Sequence, residues 1–297
     1  GTPGRTYALS AVASCCAETV TFPLDLIKTR LQAQGEGAVG RPKVGLVGTA
    51  RGVIAQEGVH RLFSGLTPAC LRHCIYGVRV SAYEFLRENV FKRDATGHFP
   101  LWKGILCGMS AGAFGQLCAS PMDLVKVQMQ LDGKAVAAGA APRYNGVADA
   151  LTKIVRQSGV KGLWRGWIPN CQRAALVQLG DLTTYDAVKQ FFRRRLQLQD
   201  GPALHALSSG GAGLVAATLG APADVIKTRY MNQPVDAFGR GELYSGSFDC
   251  LKKTVRSEGA AALFKGWVPT WMRMAPWSLT FFLTFEQLRR LAGMDSF

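Results

Sequence analysis

Long apolar stretches with few charges dominate the chain, and they predict helices that cross a membrane. Residues 104–122 and 203–223 carry almost no charge, and each is close to the roughly 20 residues that a helix needs to span a bilayer. Residues 7–24 form a similar stretch, in which Glu18 is the one acidic residue. The pattern is that of a helical membrane protein.

A proline motif shows that the chain contains three related units. The segment "PLDLIKTRLQ", which begins at Pro23, returns as "PMDLVKVQMQ" at Pro121 and as "PADVIKTRYM" at Pro222. Two further landmarks return in the same order in every unit. One is a nine-residue segment that ends in glycine, as in "EGVHRLFSG", and the other is an aromatic residue followed by an acid. A period of about one hundred residues indicates a triplicated structure.

The repeat supplies the spans that hydropathy alone does not show. Each unit has one apolar stretch before its proline motif and a second one after a later proline, at Pro68, Pro169 and Pro269. Two spans in each of three units make six, so both termini are expected on the same side of the membrane. We therefore predict an all-α membrane protein, a single domain of six transmembrane helices in three tandem pseudo-three-fold repeats, at residues 5–97, 98–197 and 198–297.

Between the two spans of each unit lies a shorter segment with the pattern of an amphipathic helix. These segments read "VGLVGTARGVIAQEG", "YNGVADALTKIVRQSG" and "YSGSFDCLKKTVRSEG", and they end at Gly58, Gly159 and Gly259. Glycine often terminates a helix because it adopts the left-handed conformation without strain. Short amphipathic helices of this kind suit the surface of a bilayer.

Composition favours anionic partners other than nucleic acid. The chain is 48% hydrophobic and 19% charged, and its formal net charge is +15. Nucleic-acid binders usually gather Lys and Arg in runs or on one face, whereas the longest basic run here is Arg193–Arg195. The eight cysteines lack CxxC spacing, which favours buried thiols in a reducing compartment.

Two short motifs imitate enzyme signatures without the structural context that those signatures need. The segment "GMSAG" matches the G-x-S-x-G turn of hydrolases, but it lies in an apolar stretch predicted to be a membrane helix. The segment "GAGLVA" resembles a dinucleotide fingerprint, but no buried strand precedes it. Since no His/Cys cluster appears either, the sequence predicts a protein that is not an enzyme and that binds no metal.

Charged residues inside the predicted spans indicate a shared, water-filled interior. A charge at the centre of a bilayer costs on the order of 2.5–3.5 kcal/mol unless it faces protein or water. The second helices of the three units carry Arg79, Arg173, Asp181 and Arg273. Three arginines around one acid predict a site for an anion, with Asp181 as a protonation switch. The alternative is that these arginines only pair with structural acids.

The proline motif, P-x-D-x-x-K, admits two interpretations of its charges. The acid and the base are three residues apart, so they are able to pair within one helix, which is worth only about 0.2–0.5 kcal/mol. Three-fold geometry favours a ring instead, in which each acid bonds to the lysine of a neighbouring helix. The ring would consist of Asp25, Lys28, Asp123, Lys126, Asp224 and Lys227, with Gln32 and Gln130 as hydrogen-bonding braces and Met231 at the third brace position.

A second ring is predicted at the opposite end of the spans. It would consist of Glu84, Arg87, Asp186, Lys189, Glu286 and Arg289, next to the aromatic residues Tyr83, Tyr185 and Phe285. Ionic closures at both ends of a wet cavity amount to two gates. A transporter whose gates open alternately is the function that this arrangement favours.

With the motif P-x-(D/E)-x-x-(K/R) in all three units, the chain resembles the mitochondrial carrier family over nearly its whole length. The resemblance implies a six-helix barrel in the mitochondrial inner membrane, with both termini in the intermembrane space and the motif ring as the matrix gate. It implies a monomer with one central substrate site and bound cardiolipin. The corresponding lipid-binding positions are Gly65, Trp164, Arg165, Gly166, Lys265 and Gly266, whereas Ser64 and Ser158 depart from the family pattern.

The central residues, together with Trp277, resemble those of the uncoupling-protein branch, and segments such as "GWIPNCQRAALVQLGDLTTYD" are most similar to its fourth, neuronal-type member. This resemblance implies a proton leak that fatty acids activate and purine nucleotides inhibit. Arg79, Arg173 and Arg273 would then hold nucleotide phosphates, and Asp181 would sense pH. The alternative is an exchanger of small anionic metabolites, dicarboxylates or aspartate-like amino acids, because the same arginines suit a carboxylate.

The second helix of the first unit is one residue shorter than its counterparts. Pro68 and Tyr83 are fifteen residues apart, whereas the corresponding distances in the other units are sixteen. Counted back from the aromatic residue, Leu71 takes the place of Arg173 and Arg273. Arg72 is then expected about 100° further around the helix.

Overall fold

The computed structural model describes residues 3–35, 44–76, 78–90, 101–137, 141–177, 202–236 and 241–293. Nearly all of these residues are helical, and the one β-type contact among them is an isolated bridge between Val235 and Gly241. The predicted all-α class is confirmed.

Three long helices carry the proline motifs. They are α1 (Pro3–Gln32), α5 (Leu101–Ala137) and α8 (Pro202–Asn232), and the motif proline of each lies inside the helix. Seven other helices complete the described chain: α2 (Leu46–Glu57), α3 (Leu66–Tyr76), α4 (Val78–Phe85), α6 (Val147–Ser158), α7 (residues 167–177), α9 (Ser247–Glu258) and α10 (Trp267–Leu291).

The structure describes the second helix of the first unit in two segments, one on each side of residue 77, which lies outside the described residues. Helix α3 ends at Tyr76, α4 begins at Val78, and a π-helix follows at Leu86–Val90. In the third unit, α10 is continuous from Trp267 to Leu291. Pro68 and Arg72 both lie in the first of the two segments.

The helices pack in a closed circle. Helix α1 contacts α3 and α10, α3 and α4 contact α5, α5 contacts α8, and α8 contacts α10. The three motif helices α1, α5 and α8 also contact one another directly. The three units therefore share a common axis, as the triplication predicts.

The short amphipathic helices form where the sequence predicts them. Helices α2, α6 and α9 end immediately before Gly58, Gly159 and Gly259, whose φ angles are 86°, 66° and 83°. A φ in this range strains residues with a side chain, so glycine stops each helix. A short 3₁₀ helix follows each glycine, at Val59–Phe63, Val160–Trp164 and Ala260–Phe264.

Apolar and charged side chains are distributed in the reverse of the usual order. Val20, Leu279 and Phe282 are about 60% exposed, at 62%, 62% and 60%. Asp123 and Lys126, in contrast, are only 2% and 8% exposed. By length and composition, one helix within the described ranges, Thr6–Gln32, is apolar enough to cross a membrane. An apolar exterior around a charged interior suits a bundle that faces lipid.

Candidate functional site: a ring of ion pairs across the helix bundle

The charges of the proline motifs pair between helices. Lys28 contacts Asp224 at 2.7 Å, Lys126 contacts Asp25 at 2.7 Å, and Lys227 contacts Asp123 at 3.1 Å. Each lysine thus reaches the aspartate of a neighbouring motif helix, which is the arrangement of the ring hypothesis and not that of intrahelical pairing. We call these six residues the motif ring. Their side chains are largely buried, so the interior is shut at this end.

The two glutamines predicted as braces make different contacts. Gln130 donates a hydrogen bond to Asp25 at 3.1 Å and accepts one from Thr29 at 2.8 Å, so it supports the motif ring directly. Gln32 accepts a hydrogen bond from the hydroxyl of Thr228 at 2.8 Å. It therefore ties α1 to α8 beside the ring. At the third position, Met231 is fully buried in a hydrophobic cluster.

Three arginines form a second layer of contacts on the motif ring. Arg173 pairs with Asp224, Arg273 pairs with Asp25, and Arg72 lies 3.5 Å from Asp123. Each aspartate of the ring therefore has one lysine and one arginine partner. The layer connects every motif helix to a second helix of the bundle.

The expectation that Leu71 replaces the third arginine is wrong. Leu71 is 41% exposed, whereas Arg72 reaches the interior and contacts Asp123. Arg72, Arg173 and Arg273 each lie four residues after the proline of their helix. Because this spacing is the same in all three units and all three arginines contact aspartates of the motif ring, the distance from the proline determines the position of this arginine. Counting from that proline would have found it.

Glu18 is a central member of the site that the sequence analysis did not assign. Glu18 is completely buried, and its carboxylate lies 2.7 Å from Lys126, 3.0 Å from Arg273 and 3.4 Å from His73. It therefore joins α1 to α5, α10 and α3. The available signal was its position as the single acid in an apolar stretch.

The predicted anion-binding residues are only partly within the described chain. Arg173 and Arg273 bond to aspartates of the motif ring, so in this state they have carboxylate partners from the protein itself. Trp277 stacks on Phe281, with ring centroids 5.4 Å apart, and lies 6.4 Å from the ring of His73. The side chain of Arg79 and the whole of Asp181 lie outside the described residues.

The second ring stays a prediction. Glu286 pairs with Arg290 on its own helix, and the guanidinium of Arg289 lies over the ring of Phe285 at 5.9 Å. The backbone carbonyl of Tyr83 accepts a contact from the thiol of Cys107 at 3.4 Å. Glu84 and Arg87 are described, whereas Tyr185, Asp186 and Lys189 lie outside the described ranges.

The positions predicted to bind lipid have structural contacts of their own. Gly65, Gly166 and Gly266 have φ angles of 92°, 92° and 83°. Trp164 donates to the backbone carbonyl of Leu117 at 2.9 Å. The ammonium group of Lys265 bonds to Glu258 and to the backbone carbonyl of Gln34. Lipid binding at these positions stays a prediction.

Two units contain a further ion pair, which braces the short helix against the motif helix. Arg30 pairs with Glu57 through two hydrogen bonds, and Arg229 pairs with Glu258 in the same way. Glu258 also accepts from Lys265. Burial alone would raise the pKa of Glu258, but the hydrogen bonds from Arg229 and Lys265 outweigh it and hold the pKa below its ordinary value.

We expect Glu258→Gln to lower the free energy of unfolding by about 1.5–3 kcal/mol, because charge-assisted hydrogen bonds are lost. Ser158→Ala at the equivalent position of the second unit is the control and should have an effect below about 0.5 kcal/mol. The depressed pKa means that Glu258 stabilises the fold above its unfolded-state pKa and loses this contribution as the pH falls through the folded value. Thermal unfolding at neutral and at acidic pH measures both effects, and equal losses in the two variants would contradict the expectation.

Comparison with known proteins gives three matches along the chain to one family model. The model is described as mitochondrial carrier protein, and it matches residues 1–94, 97–196 and 199–296. Mitochondrial uncoupling protein 3 of Arabidopsis thaliana is 43% identical over 99% of this chain and 96% of its own length. Mitochondrial uncoupling protein 1 of the same plant is 40% identical over 96% and 92%. Mitochondrial uncoupling protein 4C of Drosophila melanogaster is 38% identical over 98% and 88%.

Proposed function

We propose that this chain conducts a proton leak assisted by fatty acids. The premise is that it belongs to the mitochondrial carrier family and is an inner-membrane carrier of the uncoupling type. Members of this family are transporters. The observation that supports the proposal most directly is the motif ring, whose three interhelical ion pairs shut one end of a charged interior. A carrier needs such a closure on each side of its substrate.

The interior has the charge balance for an anion. Among the described residues around the motif ring, the cations outnumber the carboxylates: Lys28, Arg72, Lys126, Arg173, Lys227 and Arg273 face Glu18, Asp25, Asp123 and Asp224. An excess of positive charge in a largely buried, partly wet site attracts carboxylate and phosphate groups. A fatty-acid carboxylate or a small anionic metabolite fits this description.

Binding of an anion and opening of the gate are coupled through the arginines. Arg173 and Arg273 hold Asp224 and Asp25 in the closed ring. An anion that takes over these two guanidinium groups leaves each aspartate with one cationic partner fewer. The lysine bonds alone then keep the ring closed, so the free energy needed to open it falls. The ligand thus biases the bundle toward the open state through its differential affinity.

The membrane potential sets the direction in which protons and fatty-acid anions move across the membrane. Moving one elementary charge across the membrane is worth about 2.3 kcal/mol per 100 mV. In the proposed cycle, a protonated fatty acid crosses and releases its proton, and its anion returns through the cation-rich interior. The motif ring lies on the matrix side in this scheme, and both termini lie in the intermembrane space.

Regulation and lipid binding belong to the same proposal. Purine nucleotides would inhibit the leak by placing their phosphates on Arg79, Arg173 and Arg273, while Asp181 would make the inhibition depend on pH. Cardiolipin would bind at the glycine-containing starts of the second helices. Support comes from the similarity to uncoupling proteins and from the arginine layer, which carries two of these three arginines.

A second candidate function is exchange of dicarboxylates or aspartate-like anions. Arg173 and Arg273 favour this exchange, because guanidinium groups match carboxylates in geometry as well as in charge. The two functions differ in what crosses the membrane. The leak predicts a proton flux that depends on fatty acid, whereas the exchanger predicts exchange of a labelled solute.

The test reconstitutes the full chain in liposomes and measures fatty-acid-dependent proton flux with and without GDP. Arg273→Gln is expected to lower the flux at least about tenfold, because a charge-assisted contact worth ~1.5–3 kcal/mol is lost. Arg290→Gln, an exposed change on the same helix, is the matched control and should leave the flux unchanged. Exchange of labelled dicarboxylate without any proton flux would overturn the first proposal in favour of the second.

A further inference from the structure

The second unit lacks the Arg–Glu brace that the other two units contain. Seven residues after the motif proline, the first and third units have Arg30 and Arg229, whereas the second has Gln128. Opposite these arginines lie Glu57 and Glu258, whereas the second unit has Ser158. Both partners of the ion pair are thus replaced together.

A third replacement accompanies these two. The Arg30–Glu57 pair lies so close to Gly133 that a Cβ atom there would come within 2.2 Å of the Arg30 guanidinium, and the carboxylate of Glu258 would be 2.5 Å from a Cβ atom on Gly35. Each glycine is twelve residues after its motif proline, and the corresponding residue of the third unit is Pro234. The pyrrolidine ring of Pro234 is tolerated at this position because no Arg–Glu pair has to fit against it.

These replacements leave a cavity of about 670 Å³ where the brace lies in the other units. Gln128, Ser158 and Pro234 all line it, between α5, α6 and the end of α8. Cavities of about 300–1,000 Å³ are typical for small ligands. The volume exceeds what a few waters need, so the cavity has room for a ligand.

The lining of this cavity is positively charged. Four cations, Arg143, Lys153, Arg156 and Arg165, line it with a single acid, Asp236. Lys153 pairs with Asp149 at 2.8 Å, and Arg143 lies 3.8 Å from Asp132. Arg165 lies 3.3 Å from the hydroxyl of Ser158, where Lys265 of the third unit has the carboxylate of Glu258. The cavity therefore has basic residues where the equivalent site has a salt bridge.

One buried donor and one partly buried cation of the lining indicate an acceptor in the cavity. Gln233 is 3% exposed, and its side-chain nitrogen Nε2 has no hydrogen-bond partner among the described residues, while its oxygen accepts from the backbone of Tyr244 at 2.8 Å. Burial also lowers the pKa of Arg165, although Tyr230, Tyr144 and Asp236 act in the opposite direction. A buried donor and a partly desolvated cation are both stabilised by an anion.

From the cavity, its basic lining and the donor of Gln233, we propose that this repeat-2 cavity binds a small soluble polyanion of the phosphate class. Guanidinium groups recognise phosphate through paired hydrogen bonds. Most of the residues that line the cavity have polar or charged side chains, which suits a soluble anion better than the acyl chains of a lipid. The site is separate from the motif ring and is independent of the proposed proton leak. It shares Arg165 with the positions predicted to bind cardiolipin, so the experiment distinguishes these two sources of phosphate.

The test measures equilibrium binding of labelled inorganic pyrophosphate to the full chain in phosphatidylcholine nanodiscs. Arg165→Gln is expected to weaken binding at least about tenfold, since contacts between charged groups contribute ~1.5–3 kcal/mol each. Arg256→Gln, which removes an exposed arginine of α9 outside the cavity, is the matched control, and Arg173→Gln reports binding in the central interior. If Arg173→Gln loses binding and Arg165→Gln does not, pyrophosphate occupies the central interior and the proposal is overturned. Unchanged binding in Arg165→Gln also overturns it.

A second variant fills the cavity with the brace of the other units. The triple change Gln128→Arg, Ser158→Glu and Pro234→Gly should abolish pyrophosphate binding and leave the unfolding temperature equal or higher. Retained binding would overturn the proposal, and if this variant does not fold, the Arg165→Gln result decides alone. Adding cardiolipin to the nanodiscs tests the other source of phosphate: unchanged affinity supports a soluble ligand, whereas competition assigns the cavity to a lipid headgroup and overturns the proposal.

Discussion

Glu18→Gln is expected to lower the free energy of unfolding by about 3–5 kcal/mol, the usual effect of removing one partner of a buried ion pair. Glu18 is completely buried and contacts Lys126 at 2.7 Å and Arg273 at 3.0 Å. The amide keeps the shape of the side chain but leaves these cations with one carboxylate fewer. Repulsion among the remaining positive charges should loosen the contacts of α1 with α5 and α10.

Thermal unfolding of the purified carrier in detergent measures this effect. Glu286→Gln serves as control, because Glu286 is partly exposed and pairs with Arg290 on the same helix. Exposed pairs of this type contribute about 0.3–0.5 kcal/mol. A decrease in unfolding temperature of similar size in both variants would show that Glu18 is not a central contact of the bundle.

Lys28 and Asp224 should show strong energetic coupling in a double-mutant cycle. Their side chains are 2.7 Å apart and nearly buried, at 13% and 9% exposure. Lys28→Gln and Asp224→Asn should each destabilise the closed ring, and the double variant should lose less than the sum. We expect a coupling energy of about 1–3 kcal/mol, in the range of residues in direct contact. Each single variant should also raise basal leak, because the ring is held less firmly.

The matched control is the pair Lys253 and Asp249, which has a similar distance of 2.8 Å but lies at the surface of α9. Its cycle should give no more than about 0.5 kcal/mol, because solvent screens the pair. Additive effects at Lys28 and Asp224, with a coupling no larger than in the control, would mean that the motif ring does not hold the bundle closed.

The prediction of the motif ring succeeded because position along a helix and three-fold repetition together determine which charges meet. The motif places an acid and a base three residues apart, and a circle of three related units brings each acid next to the base of a neighbouring unit. The short helices α2, α6 and α9 were equally predictable. Each ends at a glycine, whose left-handed conformation is a local property of the chain.

Arg72 shows where this reasoning fails. Its position along the helix depends on whether one counts from Pro68 or from Tyr83, and the sequence does not tell where the missing residue is absorbed. The contact of Arg72 with Asp123 and the exposure of Leu71 decide this in favour of the proline. Glu18 was missed for a related reason, because its partners come from three other helices that are distant in the chain.

The sequence by itself determined the triplication, the helical membrane class, the short helices and the charges of the motif ring, because these depend on periodicity and on local conformation. Only the tertiary structure decided that Glu18 and Arg72 join the ring, that the two central arginines bond to its aspartates, and that three separate replacements meet at one cavity. Contacts between side chains far apart in the chain arise from how helices pack against one another. That packing is a property of the whole bundle and of no single segment.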